Sequence, residues 1–306
     1  MSYDANQDKL QRIARQLQPV VYLHSAEQYF PIDVESYAKN SELYHLDSGE
    51  VIEKNVSSVY FDGNAMDTNC GLRLKNKNVK FGNGNLEANP FYVRINQKDN
   101  LLYLTYAFFY GYNDAKYIFG LYPMGDHYAD IEHCTLEVDI SNVQPIVKRV
   151  YISYHEGGEW IDYNKMENEN GHVIVYEALG SHATYSHEGA FLRFGGFGND
   201  KTDKGWRWSP EKIIFLLRKG ESGYVAETHG FVNYLGFWGQ NDVGTFYDRR
   251  WMYAPWDETE DKAGYSFKYN VRSDLIIILL VFLLIIILVH ILLCLRSCNK
   301  KIESCE

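Results

Sequence analysis

The residues best suited to chemistry lie in one short segment, residues 125–133, which reads GDHYADIEH and runs into a predicted strand. The apolar residues of that strand share one face; they are Cys134, Leu136, Val138 and Ile140. Because side chains alternate between the two faces of a strand, Asp130 and Glu132 are predicted to lie on the same, core-directed face. Two carboxylates cost free energy to bury unless something positive meets them. The pattern therefore indicates a site for a positive charge.

Two histidines flank these carboxylates. His127 precedes Asp130 by three residues and can approach it from the preceding turn, while His133 follows Glu132 directly. Carboxylate and imidazole ligands suit Mg²⁺, Ca²⁺, Mn²⁺ or Zn²⁺. We therefore predict a divalent-cation site at this strand end, with the ligands His127, Asp130, Glu132 and His133. The alternative is a strand end whose carboxylates pair with arginine or lysine.

Two further turns combine histidine with glycine and a hydroxyl or carboxylate group. One covers residues 155–160 after the run VYISY, and the other covers residues 180–189 and follows the run HVIVY. The chain has only 10 histidines, so three histidine-containing turns at strand ends favour one shared site. The predicted ligand-binding residues of the two turns are His155, Glu159, Trp160, Ser181, His182 and His187.

Catalysis is a second interpretation of the same two turns. His155 and His182 are candidate general acids or bases. A triad of Ser181, His182 and Glu188 has the right residue types, although spacing alone does not establish it. Neither turn matches a nucleophile elbow or a zinc-protease helix. Histidines that merely cap turns are the commoner explanation for each turn taken singly.

The elements that must position these residues are predicted to be mostly strands. Tyr and Phe favour half-buried pleated surfaces, and the chain holds 25 Tyr and 16 Phe but only 7 Pro. Within residues 1–18, Leu10, Ile13, Ala14 and Leu17 have the spacing of a short amphipathic helix. The predicted strands are Pro19–Leu23, Phe91–Ile95, Leu101–Tyr110, Ile131–Ile140, Arg149–His155, His172–Tyr176, Ala190–Phe194, Ile213–Arg218 and Tyr224–Glu227. The sequence thus predicts a mainly β protein, with an N-terminal helix followed by an antiparallel β-sandwich over residues 19–256.

A long apolar run near the C-terminus predicts a single transmembrane helix. Residues 275–295 read LIIILLVFLLIIILVHILLCL, without Lys, Arg, Asp, Glu, Gly or Pro. A helix of that length spans about 31 Å, close to the hydrocarbon thickness of a bilayer. The one polar side chain, His290, costs less than the apolar residues contribute to insertion. A polar linker, residues 257–273, precedes this helix, and a short basic tail, residues 296–306, follows it.

The orientation expected of this anchor leaves the large domain in the cytosol. The first 18 residues contain no apolar stretch of the kind that a secretory signal peptide requires. Basic residues on the two sides of the helix nearly balance, so the positive-inside bias is weak. Two cysteines precede the anchor, which suits a reducing compartment. Cys294 and Cys298 are lipidation candidates, with ordinary free thiols as the alternative.

Several of these segments together resemble the vacuolar protein sorting-associated protein 62 family. The matching features, in order, are Val21-Tyr22-Leu23-His24 with Glu27, residues 130–133, His155 with residues 157–160, residues 180–183 with His187, and Phe237-Trp238-Gly239. Their order and approximate spacing agree over residues 19–256. The family usually has Gly-Asp-Trp-Glu-His where this chain has ADIEH, and a transmembrane tail is not typical of it. The resemblance implies a fold, and a role in membrane trafficking, more than a defined activity.

The start of the same strand is also similar to a motif of the necrosis-inducing family of secreted cytolysins. That family carries G-H-R-H-D-W-E on a β-sandwich, where a His, an Asp and a Glu contribute to a divalent-cation site used at membrane glycolipids. His127, Asp130 and Glu132 have the same spacing, without the tryptophan. This resemblance implies a cation site, with Mg²⁺ or Ca²⁺ favoured by the carboxylates.

Three functions agree with these features. The favoured one is a membrane-anchored binding module that uses a divalent cation to engage a lipid headgroup, a glycan or a protein. The second is a metal-dependent hydrolase, in which the ion activates water. The third is a structural protein of an organelle membrane or viral envelope, without a ligand. Nucleic acid is excluded as a partner because the net charge is −10 and no basic patch is present.

Overall fold

The structure is a computed structural model. The structure describes residues 3–57, 69–114, 116–118, 122–155, 157–193, 198–216, 231, 234, 236–239 and 281–291. The chain divides into two units, Met1–Phe267 and Lys268–Glu306. The predicted strand Tyr224–Glu227 lies outside the described residues, as does the predicted linker over residues 257–273.

The first unit is mainly β, which confirms the predicted class. Its described helices are α1 (Tyr3–Gln16) and α2 (Val34–Lys39), with three short 3-10 helices at Lys77–Phe81, Leu86–Ala88 and Tyr163–Lys165. Its described strands are β1 (Val20–Leu23), β2 (Ser41–His45), β3 (Val51–Glu53), β4 (Cys70–Leu74), β5 (Phe91–Lys98), β6 (Leu101–Asn113), β7 (Lys116–Ile118), β8 (Tyr122–Met124), β9 (His127–Asp139), β10 (Ile146–Tyr154), β11 (Gly157–Asp162), β12 (Asn168–Glu169), β13 (His172–Glu177), β14 (Thr184–Tyr185), β15 (Gly189–Phe191), β16 (Asp200–Thr202), β17 (Trp206–Trp208) and β18 (Ile213–Phe215).

Two sheets share the main core. The larger has the strand order β11-β10-β9-β6-β5-β18, and the smaller has the order β12-β13-β1-β17 with β14 paired to β13. Apolar residues that alternate along β5, β6, β9 and β10 meet those of β1 and β13 in one buried cluster. This alternation is the pattern that places every second side chain on the core face.

The pairing is mostly antiparallel, with two parallel exceptions that local sequence did not indicate. β1 pairs in parallel with β13, and β18 pairs in parallel with β5. Neither pair arises from a strand-helix-strand repeat, because more than a hundred residues, among them several other strands, separate the two strands of each pair. Parallel pairs of this kind depend on long-range contacts rather than on periodicity.

The N-terminal helix packs on the main core as its apolar stripe predicts. Leu10, Ile13 and Ala14 are buried in the core cluster, and Leu17 packs against it. The Tyr106 hydroxyl donates a hydrogen bond of 2.6 Å to the Ala14 carbonyl, which ties the helix to β6.

A second buried cluster lies on the opposite face of the larger sheet. It contains residues of α2, β2 and β4 together with Phe231, Tyr234 and Trp238. The turn-rich composition of the segment before β5 does not indicate a strand at β4. In the structure β4 pairs with β2, and residues of both strands are buried in this second cluster. Trp238 from late in the chain is tied here, since its carbonyl accepts a 2.9 Å hydrogen bond from the Tyr37 hydroxyl.

In the second unit, the structure describes residues 281–291, which are helical. Their large apolar side chains are exposed over 44% to 60% of their surface. Among the described residues no helix is both long and apolar enough to cross a membrane. The remainder of the predicted span 275–295 and the tail 296–306, with Cys294 and Cys298, lie outside the described residues.

Candidate functional site

Asp130 and Glu132 lie near the start of β9, opposite Tyr110 and Phe108 of β6. Phe108 and Tyr110 belong to the core between the two sheets, as does Cys134 further along β9. Because β9 alternates regularly here, both carboxylates point to the core-directed face predicted for them. They meet a group of buried polar side chains there.

His182 is the positive centre of this group. Its ring stacks on Tyr110 with the centroids 3.8 Å apart and the planes at 3°. Nδ1 lies 3.2 Å from Asp130 Oδ2, and Nε2 lies 3.1 Å from the Tyr29 carbonyl oxygen and 3.8 Å from Glu27 Oε1. Burial would lower the pKa of His182, but the bonds and charges of Asp130 and Glu27 raise it to about 10. The ring is therefore an imidazolium at neutral pH, and donates from both nitrogens.

Glu27 is ionised for the same reason. Its Oε2 accepts a 2.7 Å hydrogen bond from the Gly180 amide, and its Oε1 accepts bonds of 2.9 Å from the amides of Gln28 and Tyr29. Burial opposes ionisation, yet these bonds and the His182 charge lower the pKa of Glu27 to about 2. Glu27 thereby ties the first strand's end to the turn that carries His182.

Asp200 links His155 and Ser181, two of the predicted ligand-binding residues, because both are hydrogen-bonded to it. It is completely buried, and it accepts hydrogen bonds of 2.7 Å from Ser181 Oγ and 2.9 Å from the Tyr185 hydroxyl. His155 Nε2 is bonded to its second oxygen, and Lys116 Nζ lies 3.5 Å from the first. Against burial, these donors hold the pKa of Asp200 well below its usual range.

Glu132 and Glu177 lack comparable donors. Glu177 ends β13 and is almost completely buried; Oε1 accepts a 3.0 Å bond from Thr184 Oγ1, while Oε2 has no partner among the described residues. Glu132 accepts a 3.3 Å bond from Ser153 Oγ. Burial, together with the nearby Asp130 carboxylate, raises the pKa of both glutamates well above the usual range. The Tyr110 hydroxyl beside them is also buried without a partner.

The structure brings together most of the predicted site residues. His127 Nε2 lies 3.4 Å from Asp130 Oδ1, so His127, Asp130 and His182 form one chain of contacts. His155 and Ser181 join the same region through Asp200. The three histidine-containing turns therefore meet, as the sequence predicted. The alternative of arginine or lysine partners does not describe Asp130, whose two ion-pair partners among the described residues are histidines.

His133 does not join this group, and this corrects the predicted ligand set. It pairs with Ala107, and both neighbour Ile131 on the face that packs against the second core, opposite Asp130. Its buried ring lies beside Tyr151 at a centroid distance of 6.0 Å, and burial lowers its pKa to about 4. The alternation that turns Asp130 inward necessarily turns His133 away.

Three further predicted residues also lie apart from the cluster. Glu159 is exposed on β11, and Trp160 packs against Tyr151 and beneath the Arg149 guanidinium. His187 is exposed at the surface. The Ser181, His182 and Glu188 triad is not formed, because Ser181 donates to Asp200 while His182 donates to Asp130.

Four residues of the cluster were missing from the predicted site, namely Glu27, Tyr110, Glu177 and Asp200. One signal was present in the sequence: Glu177 ends a fully apolar strand, where a carboxylate is unusual. Glu27 was noted only as part of the family resemblance. Among the described residues, no three His, Cys, Asp or Glu side chains converge closely enough to hold a metal ion. The donor types nevertheless suit a divalent cation, and two buried polar atoms of this cluster, the Tyr110 hydroxyl oxygen and Glu177 Oε2, lack partners among the described residues.

These features define a mainly β protein with a buried cluster of carboxylates and histidines where its strand ends meet. The sequence model of the family "Vacuolar protein sorting-associated protein 62" matches residues 1–222, and the chain belongs to this family.

Two curated relatives come from Saccharomyces cerevisiae. The chain is 24% identical to "Putative vacuolar protein sorting-associated protein TDA6" over 306 residues, covering 82% of this chain and 65% of that protein. It is 22% identical to "Vacuolar protein sorting-associated protein 62" over 309 residues, covering 84% and 65%. The chain therefore matches somewhat less than two thirds of the length of each relative.

Solved structures with a similar arrangement include "NLPPya in complex with mannosamine", at a TM-score of 0.38 and 12% identity over 74% of this chain and 88% of that one. Another is "Crystal structure of non-toxic HaNLP3 protein", at a TM-score of 0.36 and 11% identity, covering 70% and 75%. Similarity at this level carries no argument about the site.

Proposed function

We propose that this protein is a membrane-anchored binding module of its family, which holds a divalent cation at the start of β9. Through that cation it engages a polar headgroup, a glycan or a protein ligand. One observation supports the cation most directly. Glu177 is buried and Glu132 is partly buried near Asp130, and among the described residues His182 is the positive group that acts on Glu177; the pKa of both glutamates is nevertheless raised, and a divalent ion would supply further positive charge.

The residues proposed to hold the ion are His127, Asp130 and Glu132, with Glu177 as an additional carboxylate; ion binding would have to draw these side chains closer together than they lie in the structure. Mg²⁺ or Ca²⁺ is favoured because most of these ligands are carboxylate oxygens. When bound, the ion offers positive charge to an anionic or hydroxyl-rich ligand. The side chain of His127 keeps 13% of its exposure, against 10% for that of Asp130.

Hydrolysis receives less support from the same geometry. A general base must be unprotonated near neutral pH, whereas His182 carries a proton on each nitrogen up to a pKa of about 10. His155 has its Nε2 engaged by Asp200. These engagements suit residues that position a binding site rather than residues that move protons.

The membrane association is proposed from the apolar run 275–295, whose described portion is helical with exposed apolar side chains. The names of the yeast relatives add vacuolar protein sorting as the context. We place the large domain in the cytosol, with Cys294 and Cys298 as lipidation candidates. Alkaline extraction should leave the full-length protein in membranes and release the Leu284→Arg/Ile287→Arg variant. Protection of the large domain from protease in intact vesicles would contradict the orientation.

The cation is tested by metal content and thermal unfolding of the full-length protein in neutral detergent, with and without chelator. We expect one bound ion per chain and a melting temperature that rises with ion concentration. Asp130→Asn/Glu132→Gln should abolish both effects. Glu159→Gln, which removes an exposed carboxylate outside the cluster, should change neither. His127→Gln provides a milder test, and unchanged ion affinity in that variant and in the double variant would refute the site.

A further inference from the structure

Three aromatic rings surround one lysine ammonium at the edge of the domain. Lys80 Nζ lies 4.9 Å from the ring centroid of Tyr112, 5.1 Å from that of Phe81 and 5.8 Å from that of Tyr29. The Tyr29 and Phe81 rings are stacked 5.4 Å apart, and Tyr29 and Tyr112 are tilted at 5.0 Å. All three distances fall within the range in which a ring face attracts a cation.

The backbone holds this arrangement in place. Lys80 lies in the 3-10 helix Lys77–Phe81, and the Phe81 carbonyl accepts a 3.1 Å hydrogen bond from the Phe30 amide. At Gly82, with φ at +66°, a Cβ would come within 1.8 Å of the Phe30 carbonyl oxygen. At Gly111, a Cβ would come within 2.9 Å of the Val79 carbonyl oxygen. The helix therefore rests directly on the backbone of β6 and of residues 30–31.

Lys80 receives its stabilisation from the rings rather than from a carboxylate. Within the described part of the chain, its ammonium makes no ion pair and no hydrogen bond with a side chain or backbone group. The nearest acidic link is indirect, because the Tyr112 hydroxyl donates a 3.2 Å hydrogen bond to Asp126. That bond places negative charge behind a ring of the cage and strengthens its attraction for a cation.

We propose that Tyr29, Phe81 and Tyr112 form a binding site for a quaternary ammonium group of the choline type, and that Lys80 occupies it in the absence of ligand. A primary ammonium gives up hydrogen bonds to water when it enters such a cage. A trimethylammonium group has none to give up and is large enough to touch several rings at once. The cage therefore suits a methylated ammonium better than its own lysine.

The surroundings favour choline over a methylated peptide. Phe81 is 41% exposed at the cage edge, and the neighbouring Phe30 packs edge-on against Trp206, which is 49% exposed. Exposed aromatic rings of this kind suit the interface between a lipid headgroup and water. The proposal names a headgroup for the binding module proposed above, but it requires no divalent cation, so the two can fail separately.

The first test measures binding to the full-length protein in neutral detergent with chelator present, so that the cation site cannot contribute. The probes are tetramethylammonium, phosphocholine, trimethyllysine, and short-chain phosphatidylcholine and phosphatidylglycerol, titrated by calorimetry. Lys80→Met vacates the cage, and we expect it to bind phosphocholine roughly fivefold more tightly than the unmodified protein does. Lys148→Met removes an exposed lysine from β10 and should leave the affinity unchanged.

The second variant removes one wall of the cage. Phe81→Leu in the Lys80→Met background should reverse most of the gain, and because Phe81 is partly exposed the fold should persist, as circular dichroism will verify. Binding of short-chain phosphatidylcholine but not phosphatidylglycerol supports a lipid source, whereas binding of phosphocholine alone supports a soluble choline compound. Equal affinity in Lys80→Met and Lys148→Met, indifference to Phe81→Leu, or a preference for trimethyllysine over phosphocholine overturns the proposal.

Discussion

Asp200 and Glu177 are both almost completely buried carboxylates of the same cluster, yet their neighbours shift their pKa values in opposite directions. Asp200 receives Ser181, Tyr185, His155 and Lys116 as donors. Glu177 receives only Thr184, and its second oxygen has no partner among the described residues. The pKa of Asp200 is lowered and that of Glu177 is raised. Burial alone therefore does not decide the charge of a carboxylate; the supply of donors does.

The difference separates the cluster into a closed part and an open part. Around Asp200, Glu27 and His182, the positive and negative groups satisfy one another, and this part holds the strand ends together. Around Glu132 and Glu177, carboxylates meet with few hydrogen-bond donors among the described residues, and His182, which faces Glu177, is already bonded to Asp130. A proton or a metal ion entering the cluster is therefore expected on the second side.

The largest expected effect comes from removing the cation of the closed part. His182→Gln would leave Glu27 and Asp130 buried without their shared imidazolium. We expect the free energy of unfolding to fall by about 3–5 kcal/mol, as for other broken buried ion pairs. Urea unfolding at neutral pH measures it. His187→Gln, which changes an exposed histidine of the same turn, should cost little, and similar losses in the two variants would contradict the central role of His182.

The two carboxylates themselves provide the most direct comparison. Asp200→Asn removes the charge that Lys116 and His155 face, and should cost about 3 kcal/mol, the lower end of the usual range because Lys116 keeps some exposure. Glu177→Gln removes a carboxyl whose ionised form burial disfavours, so at neutral pH the variant should be at least as stable as the unmodified protein. Chemical unfolding of the two variants side by side tests this, and equal losses would remove the distinction between the two parts.

The pH dependence of Glu177→Gln sharpens the same distinction. A carboxyl whose folded pKa is raised stabilises the fold while it is protonated, below the unfolded value of 4.5, and that stability is lost as pH rises towards the folded pKa. The Glu177→Gln variant has no carboxyl at this position, so it does not lose stability in this way as the pH rises. In chelator, its stability relative to the unmodified protein should therefore increase from pH 5 to pH 8, by at most about 1.4 kcal/mol per pH unit.

Urea unfolding at several pH values in that interval measures the difference. The charged and titratable groups that face Glu177 are His182, Asp130, Glu27, Glu132, Tyr110 and Cys134. They are present in both proteins, so their own titrations largely cancel in the comparison. A constant difference across the pH range would mean that Glu177 is ionised in the folded protein.

The smallest effect is expected at His133, on the other face of β9. His133→Phe replaces a neutral buried ring whose Nε2 has no partner among the described residues, and should alter stability by less than about 1 kcal/mol. The response of the melting temperature to chelator should be unchanged, in contrast to Glu132→Gln. If the chelator response disappeared in His133→Phe, the assignment of faces along β9 would be wrong.

The sequence by itself determined the features that depend on neighbouring residues. Alternation located eight of the 18 described strands, directed Asp130 and Glu132 to the core and predicted a mainly β protein, and the spacing of Leu10, Ile13 and Ala14 located the N-terminal helix. Three histidine-containing turns at strand ends predicted one shared site. Motif order also identified the family, which the match over residues 1–222 confirmed.

Only the tertiary structure decided which partners complete the site. Glu27 and Gly180 are 153 residues apart in the chain, and Asp130 and His182 are 52 apart. Local periodicity carries no information about such pairs, because they follow from parallel pairing between β1 and β13 and from how the two sheets meet. The same contacts decide charge. An isolated carboxylate has one ordinary pKa, whereas in this fold the donors gathered from distant strands lower the pKa of Asp200, and burial with fewer donors raises that of Glu177.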